Sequence, residues 1–135
     1  MVEIQIAYKG KLRCSATHVD SGATLLTDAP KDNMGNGESF SPTDLVATAL
    51  GTCMMTIMGI AAQRMEIDLS GATVTVTKEM TAAPTRRIGR LSVTFRVPLS
   101  LTQEQRQKLE NAAMTCPVHK SLHPDVEIPV SFNWN

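Results

Sequence analysis

Three cysteines in 135 residues, none of them in a C-x-x-C pair, are too few and of the wrong parity for a disulfide framework. The thiols must therefore be reactive groups or small core residues. Charge of one sign is missing too: 13 Lys and Arg balance 13 Asp and Glu, and the basic residues form no long run. That excludes the electrostatic footprint of a protein built to bind nucleic acid or an anionic membrane. There is no repeat or low-complexity tract. The opening "MVEIQIAYKG" lacks a basic segment followed by an apolar core and a small-residue cleavage site, so a cytoplasmic protein is expected. At this length one domain spanning residues 1–135 is the natural expectation.

What is present falls into alternating and helical stretches. Val2, Ile4, Ile6 and Tyr8 alternate with polar residues, as do Leu12, Cys14 and Ala16, which predicts two strands joined at Lys9-Gly10. A shorter strand is expected near residues 23–27, followed by the loop "DAPKDNMGNGES". Then comes "SPTDLVATALGTCMMTIMGIAAQRM", Ser41 to Met65. Ser41 suits an N-cap, Pro42 the first helical position, and Asp44 the acid of a capping box. Asp44, Gln63, Arg64 and the threonines argue against a membrane span. Leu45, Ala49, Cys53, Thr56 and Ile60 make one stripe, and Val46, Leu50, Met54, Ile57 and Ala61 another beside it. A helix apolar nearly all round needs cover on most sides, and a second subunit is the economical cover.

Period-two alternation returns at Val74 and Val76 and again from Leu91 to Val97, with "TAAPTRRIG" as the connection. Thr102 should cap a second helix running to about Met114, and Pro117 should open a short third one after Cys116. Val126, Ile128, Val130, Phe132 and Trp134 read as a last strand. The order β-β-β-α-β-β-α-α-β is that of an α+β protein with antiparallel sheet.

Cys53, in mid-helix, gains little from the helix dipole, and burial there would make it inert unless a cation or donor favours the thiolate. Cys116 stands just before a helix N-terminus, where free N–H groups favour a thiolate. Taken alone, Cys53 reads first as core packing, and Cys116 reads either way, as a thiolate or as a small buried residue at a helix junction. If the two met, one could attack and the other resolve, passing through a sulfenic acid to a disulfide. Cys116, His119 and His123 form C-x2-H-x3-H, three conceivable zinc ligands without a fourth. Cys14 reads as core packing beside Leu12 and Ala16. Met54, Met55 and Met58 read as adaptable packing or as the lining of an apolar pocket.

"SPTDLVATALGTC", with proline eleven residues before the cysteine, and the later "CPVHKSLHPDVEIPVSF" resemble the two signature segments of the OsmC/Ohr family of thiol-dependent peroxidases. The similarity runs over nearly the whole chain. It implies an intertwined homodimer with long buried helices between sheets and active sites at the subunit interface. It implies further that Cys53 attacks an organic hydroperoxide, that Cys116 resolves, and that an external thiol reductant reopens the disulfide, without metal or cofactor. Peroxidases of the family carry a glutamate directly after the proline, where this chain has Thr43 and then Asp44. They also use an arginine beside the thiolate. No arginine lies between Cys14 and Cys53, which leaves Arg13 as candidate and Asp44 as supporting acid. The alternative is a non-catalytic protein of the same kind that binds a small apolar ligand or senses oxidants.

Overall fold

A computed structural model describes all residues, Met1–Asn135. In chain order it contains β1 (Ile4–Gly10), β2 (Arg13–His18), β3 (Thr24–Asp28), a single 3-10 turn (Lys31–Asn33), α1 (Pro42–Arg64), β4 (Thr73–Thr81), β5 (Arg87–Val97), α2 (Gln103–Ala113), α3 (Pro117–Ser121) and β6 (Val130–Trp134). The class is the expected α+β. The chain divides into two compact units, Met1–Val46 and Ala47–Asn135.

The first unit holds a three-stranded antiparallel sheet in the order β1-β2-β3. Its first turn lies two residues later than expected: Lys11 and Leu12 both take positive φ, 56° and 62°, and close the hairpin. Two successive left-handed residues match the right-handed twist of the flanking strands, which is why tight hairpins use them. Pairing of Tyr8 with Cys14, Ile6 with Ala16 and Ala16 with Leu25 puts Ile4, Ile6, Tyr8, Cys14, Ala16 and Leu25 on one face. Arg13, Asp28 and Leu26 lie on the other.

The second unit carries the sheet β4-β5-β6. β4 and β5 are antiparallel, but β6 runs parallel to β5, with Phe95 opposite Phe132. This departs from the antiparallel expectation because α2 and α3 return the chain to the far end of β5, the usual requirement of a parallel neighbour. Leu91, Val93, Phe95 and Val97 are buried, and Phe95 stacks on Phe132 at 4.8 Å between centroids. Val74 and Val76 share that face through their pairing with Phe95 and Val93.

Onto this face packs α1. Its buried residues, Ala47, Leu50, Gly51, Met54, Met58 and Ala62, form a single stripe. Gly51 allows the close approach, since a Cβ there would stand 2.8 Å from Val76 Cγ2. The opposite side, Thr48, Thr52, Thr56 and Ile60, is exposed. Of the two adjacent stripes expected to be covered, only part is buried within this chain. By length and composition α1 could cross a membrane, yet a third of its most apolar stretch is buried inside the chain. The buried third is the stripe seated on β4.

α1 starts as anticipated: Ser41 N–H donates to Asp44 Oδ2 at 2.9 Å and Asp44 N–H donates to Ser41 Oγ at 3.1 Å. α2 has the same device, with Thr102 and Gln105 as the reciprocal pair.

Candidate functional site

Cys53 projects from the middle of α1 and Cys116 closes the bend between α2 and α3. Both helices lie on the same face of the second sheet. The bend forms because Pro117 cannot continue α2 yet suits the first position of α3. The two thiols come together there, and the Cys53 side chain raises the pKa of the Cys116 thiol. Both are free, Cys116 fully buried and Cys53 half-buried.

Cys116 Sγ also accepts the backbone N–H of His119 at 3.4 Å, and Val118 N–H favours its charged form as well. Those donors are the ones its position before a proline implied. Burial nevertheless prevails and pushes the Cys116 thiol above its ordinary value, helped by the Cys53 side chain. The sequence expectation of a Cys116 thiolate is thereby reversed. Cys116 therefore holds its proton more tightly than an ordinary thiol does.

The remaining candidates sort clearly. Asp44 is bonded to Ser41 as the cap of α1. Arg13, on β2, is clamped by two carboxylates of the first unit: it pairs with Glu38 and stands 3.7 Å from Asp28 Oδ2. The hydrogen bond that Arg13 donates to Glu38, then the charge of Glu38 and that of Asp28, raise the guanidinium's pKa above its ordinary value. Asp28 is buried and accepts Glu38 N–H at 3.0 Å, so it orders the loop that delivers Glu38. Neither acid was foreseen. Glu38 lies 25 residues from Arg13 in a loop rich in Gly and Asn, and no periodicity marks it.

Cys14 is half-buried on the apolar face of the first sheet, beside exposed Ile6 and Tyr8, and is not a core residue. Met54 and Met58 are fully buried and pack the core. No three His, Cys, Asp or Glu side chains converge to hold a metal, so Cys116, His119 and His123 do not form a ligand set. His123 instead accepts Asp125 N–H at 3.0 Å. A groove of about 470 Å³ runs along the C-terminal half of α1, lined by Ile60, Ile67 and Leu69 together with Thr56, Gly59, Gln63, Asp68 and Ser70.

Residues 35–131 match the family model described as OsmC-like protein. A structure from Psychrobacter arcticus 273-4, provisionally assigned to osmotic stress induction and detoxification response, is 46% identical over 98% of this chain and 96% of its own, with a TM-score of 0.93. Two organic hydroperoxide resistance proteins share the fold at lower identity. That of Legionella pneumophila has a TM-score of 0.79 at 18% identity, covering 98% of this chain and 96% of its own. That of Elizabethkingia anophelis has a TM-score of 0.79 at 16% identity, covering 100% and 96%. No curated protein matches. On the match over residues 35–131 and the 46% identical relative, this chain belongs to the OsmC-like protein family.

Proposed function

We propose that the protein is a cytoplasmic, homodimeric reductase of organic hydroperoxides serving oxidative-stress defence, with Cys53 as the attacking thiol and Cys116 as the resolving one. The observation that carries this reading is the juxtaposition of two free thiols of unequal exposure. Membership of a family that includes organic hydroperoxide resistance proteins supports a redox or stress role, and the detoxification assignment of the 46% identical relative agrees with it.

In this scheme the Cys53 thiolate attacks the distal oxygen of the hydroperoxide, the O–O bond breaks, and the alkoxide takes a proton and leaves as an alcohol. Cys53 is then a sulfenic acid. Cys116, already in contact, displaces its hydroxyl as water and forms the Cys53–Cys116 disulfide. An external thiol reductant restores both thiols. No metal or cofactor takes part. The apolar residues beside the thiols would hold an alkyl tail, each buried CH₂ contributing about 0.8 kcal/mol. Homodimer formation is supported by the uncovered apolar side chains of the first sheet.

Arg13, the cation that the family resemblance offers, is paired with Glu38 and Asp28 within its own unit. That pairing favours a second reading, in which the protein holds a small apolar ligand or senses oxidants and turns over no peroxide. The groove beside Ile60, Ile67 and Leu69 suits such a ligand.

Mass spectrometry of reduced protein after one equivalent of cumene hydroperoxide decides between them. Peroxidase chemistry gives rapid Cys53–Cys116 disulfide, and a persistent sulfenic acid at Cys53 in Cys116→Ser. Slow oxidation scattered over Cys14, Cys53 and Cys116 would eliminate the enzyme reading.

A further inference from the structure

The two sulfurs of the site are not equivalent to an approaching reagent. Cys116 is 0% exposed within this single chain, whereas Cys53 is partly open on α1, between exposed Thr52 and Thr56. Association with another subunit can only remove surface, so no assembly of this chain opens Cys116 unless the chain itself rearranges. The backbone N–H of His119, at 3.4 Å, further holds the Cys116 sulfur in place.

Resting on the two-cysteine reading above, we infer that the external thiol reductant enters at Cys53, so that the mixed disulfide forms on Cys53 and Cys116 is the departing thiol. Thiol–disulfide exchange is a displacement along the S–S axis. The attacking thiolate must reach a sulfur from the side opposite the bond that breaks.

The reductant's thiolate bonds to Cys53 Sγ, the Cys53–Cys116 bond breaks, and its electron pair passes to Cys116 Sγ, which then takes a proton. A second thiol of the reductant attacks the reductant's own sulfur in the mixed disulfide and frees Cys53. The protein disulfide is reduced and the dithiol is oxidised to a disulfide. Two effects oppose at the departing sulfur: the N–H groups of His119 and Val118 stabilise the developing charge, and burial disfavours it. That balance tunes the rate of the step. Access decides where it occurs, because a sulfur that cannot be reached is not attacked however well its partner leaves.

The experiment uses the full chain carrying Cys14→Ser, oxidised with diamide so that disulfide formation does not depend on peroxide turnover. Brief exposure to 2-mercaptoethanol, an acid quench, alkylation and peptide mass spectrometry locate the adduct. At least tenfold more adduct is expected on Cys53, with Cys116 recovered as the alkylated thiol. Equal adducts, or a majority on Cys116, overturn the inference. As a second measurement, reduced Cys116→Ser should react with Ellman's reagent at least tenfold faster than reduced Cys53→Ser, and comparable rates count against it. If diamide joins the two cysteines but hydroperoxide does not, the peroxidase reading falls while the point of entry is still measured. If neither oxidant joins them, both fall.

Discussion

The two three-stranded sheets treat the same kind of side chain in opposite ways. In β4-β5-β6, Leu91, Val93, Phe95 and Val97 are at most 1% exposed. In β1-β2-β3, Ile4, Ile6, Tyr8 and Leu25, all on one face, are between 43% and 69% exposed. The alternation in the sequence is equally clean in both. What differs is the cover. The second sheet receives α1 through Gly51, and its last strand receives α2 where Arg106 lies over Trp134 at 5.9 Å. The only fully buried groups of the first unit are polar, Asp28 and Ser41, and they order a loop and a helix start. A contiguous apolar face of this kind on a small chain marks an interface, which is why the proposed homodimer is expected to use it.

The contrast breaks most visibly under truncation of one aromatic in each sheet. Phe95→Ala removes a fully buried ring and should destabilise by about 3–5 kcal/mol at any protein concentration. Tyr8→Ala should act through association: its unfolding midpoint should fall further as the protein is diluted, by mass action. Urea melts at two concentrations differing a hundredfold check both. A Tyr8→Ala midpoint that ignores dilution would remove the interface explanation for the first sheet. Ile6→Asp sharpens the same point, because a carboxylate on that face should convert the dimer to monomer in sedimentation experiments. An unchanged sedimentation coefficient would show that the face is solvated in the native assembly.

Next in size is the approach of α1 to the second sheet. Gly51→Ala sets a methyl 2.8 Å from Val76 Cγ2 and should destabilise by about 1–3 kcal/mol through overpacking. Since Gly51 lies two residues before Cys53, the same change should slow closure of the Cys53–Cys116 disulfide while leaving sulfenic acid formation in Cys116→Ser unchanged. Stopped-flow measurement of the two steps separates the effects, and equal slowing of both would mean simple loss of structure. Smaller still, Thr102→Ala should cost about 1 kcal/mol as a lost cap of α2.

Much of this was legible in the residues, and the gaps have physical causes. The start of α1 followed from Ser41, Pro42 and Asp44 because a cap is a local event fixed by three or four residues. Cys116 and Pro117 marked the α2–α3 bend for the same reason. The hairpin turn was misplaced because Gly10 is the obvious turn residue, while Lys11 and Leu12 take positive φ without any sequence signal. Strand direction is invisible to alternation, so the parallel β6 could not be read. The stripe of α1 that would be buried was obscured by apolar residues on every side. Its tell was the threonines, for Thr52 and Thr56 satisfy their hydroxyls on the carbonyls of Thr48 and Thr52 and so tolerate an exposed helix surface. At the site, both cysteines stood out singly, but their meeting is a contact over 63 positions that only packing creates.

The smallest effect expected concerns protons at that meeting point. Burial and the Cys53 side chain raise the Cys116 pKa above its ordinary 9.0. The folded state therefore holds this proton more tightly than the unfolded chain does. Below pH about 9 both states are protonated and the contribution to stability is complete. As pH rises from about 9 toward the folded value, the unfolded thiol ionises first and stability is lost, so reduced protein should weaken over that window. Cys116→Ala should lack this component, while lysine and tyrosine titrations remain common to both proteins. Urea midpoints of the two reduced proteins at pH 8 and pH 10.5 should consequently converge at the higher pH. Parallel midpoints would mean that the Cys116 thiol ionises as readily folded as unfolded, and with it would go the picture of a protonated resolving thiol waiting beside Cys53.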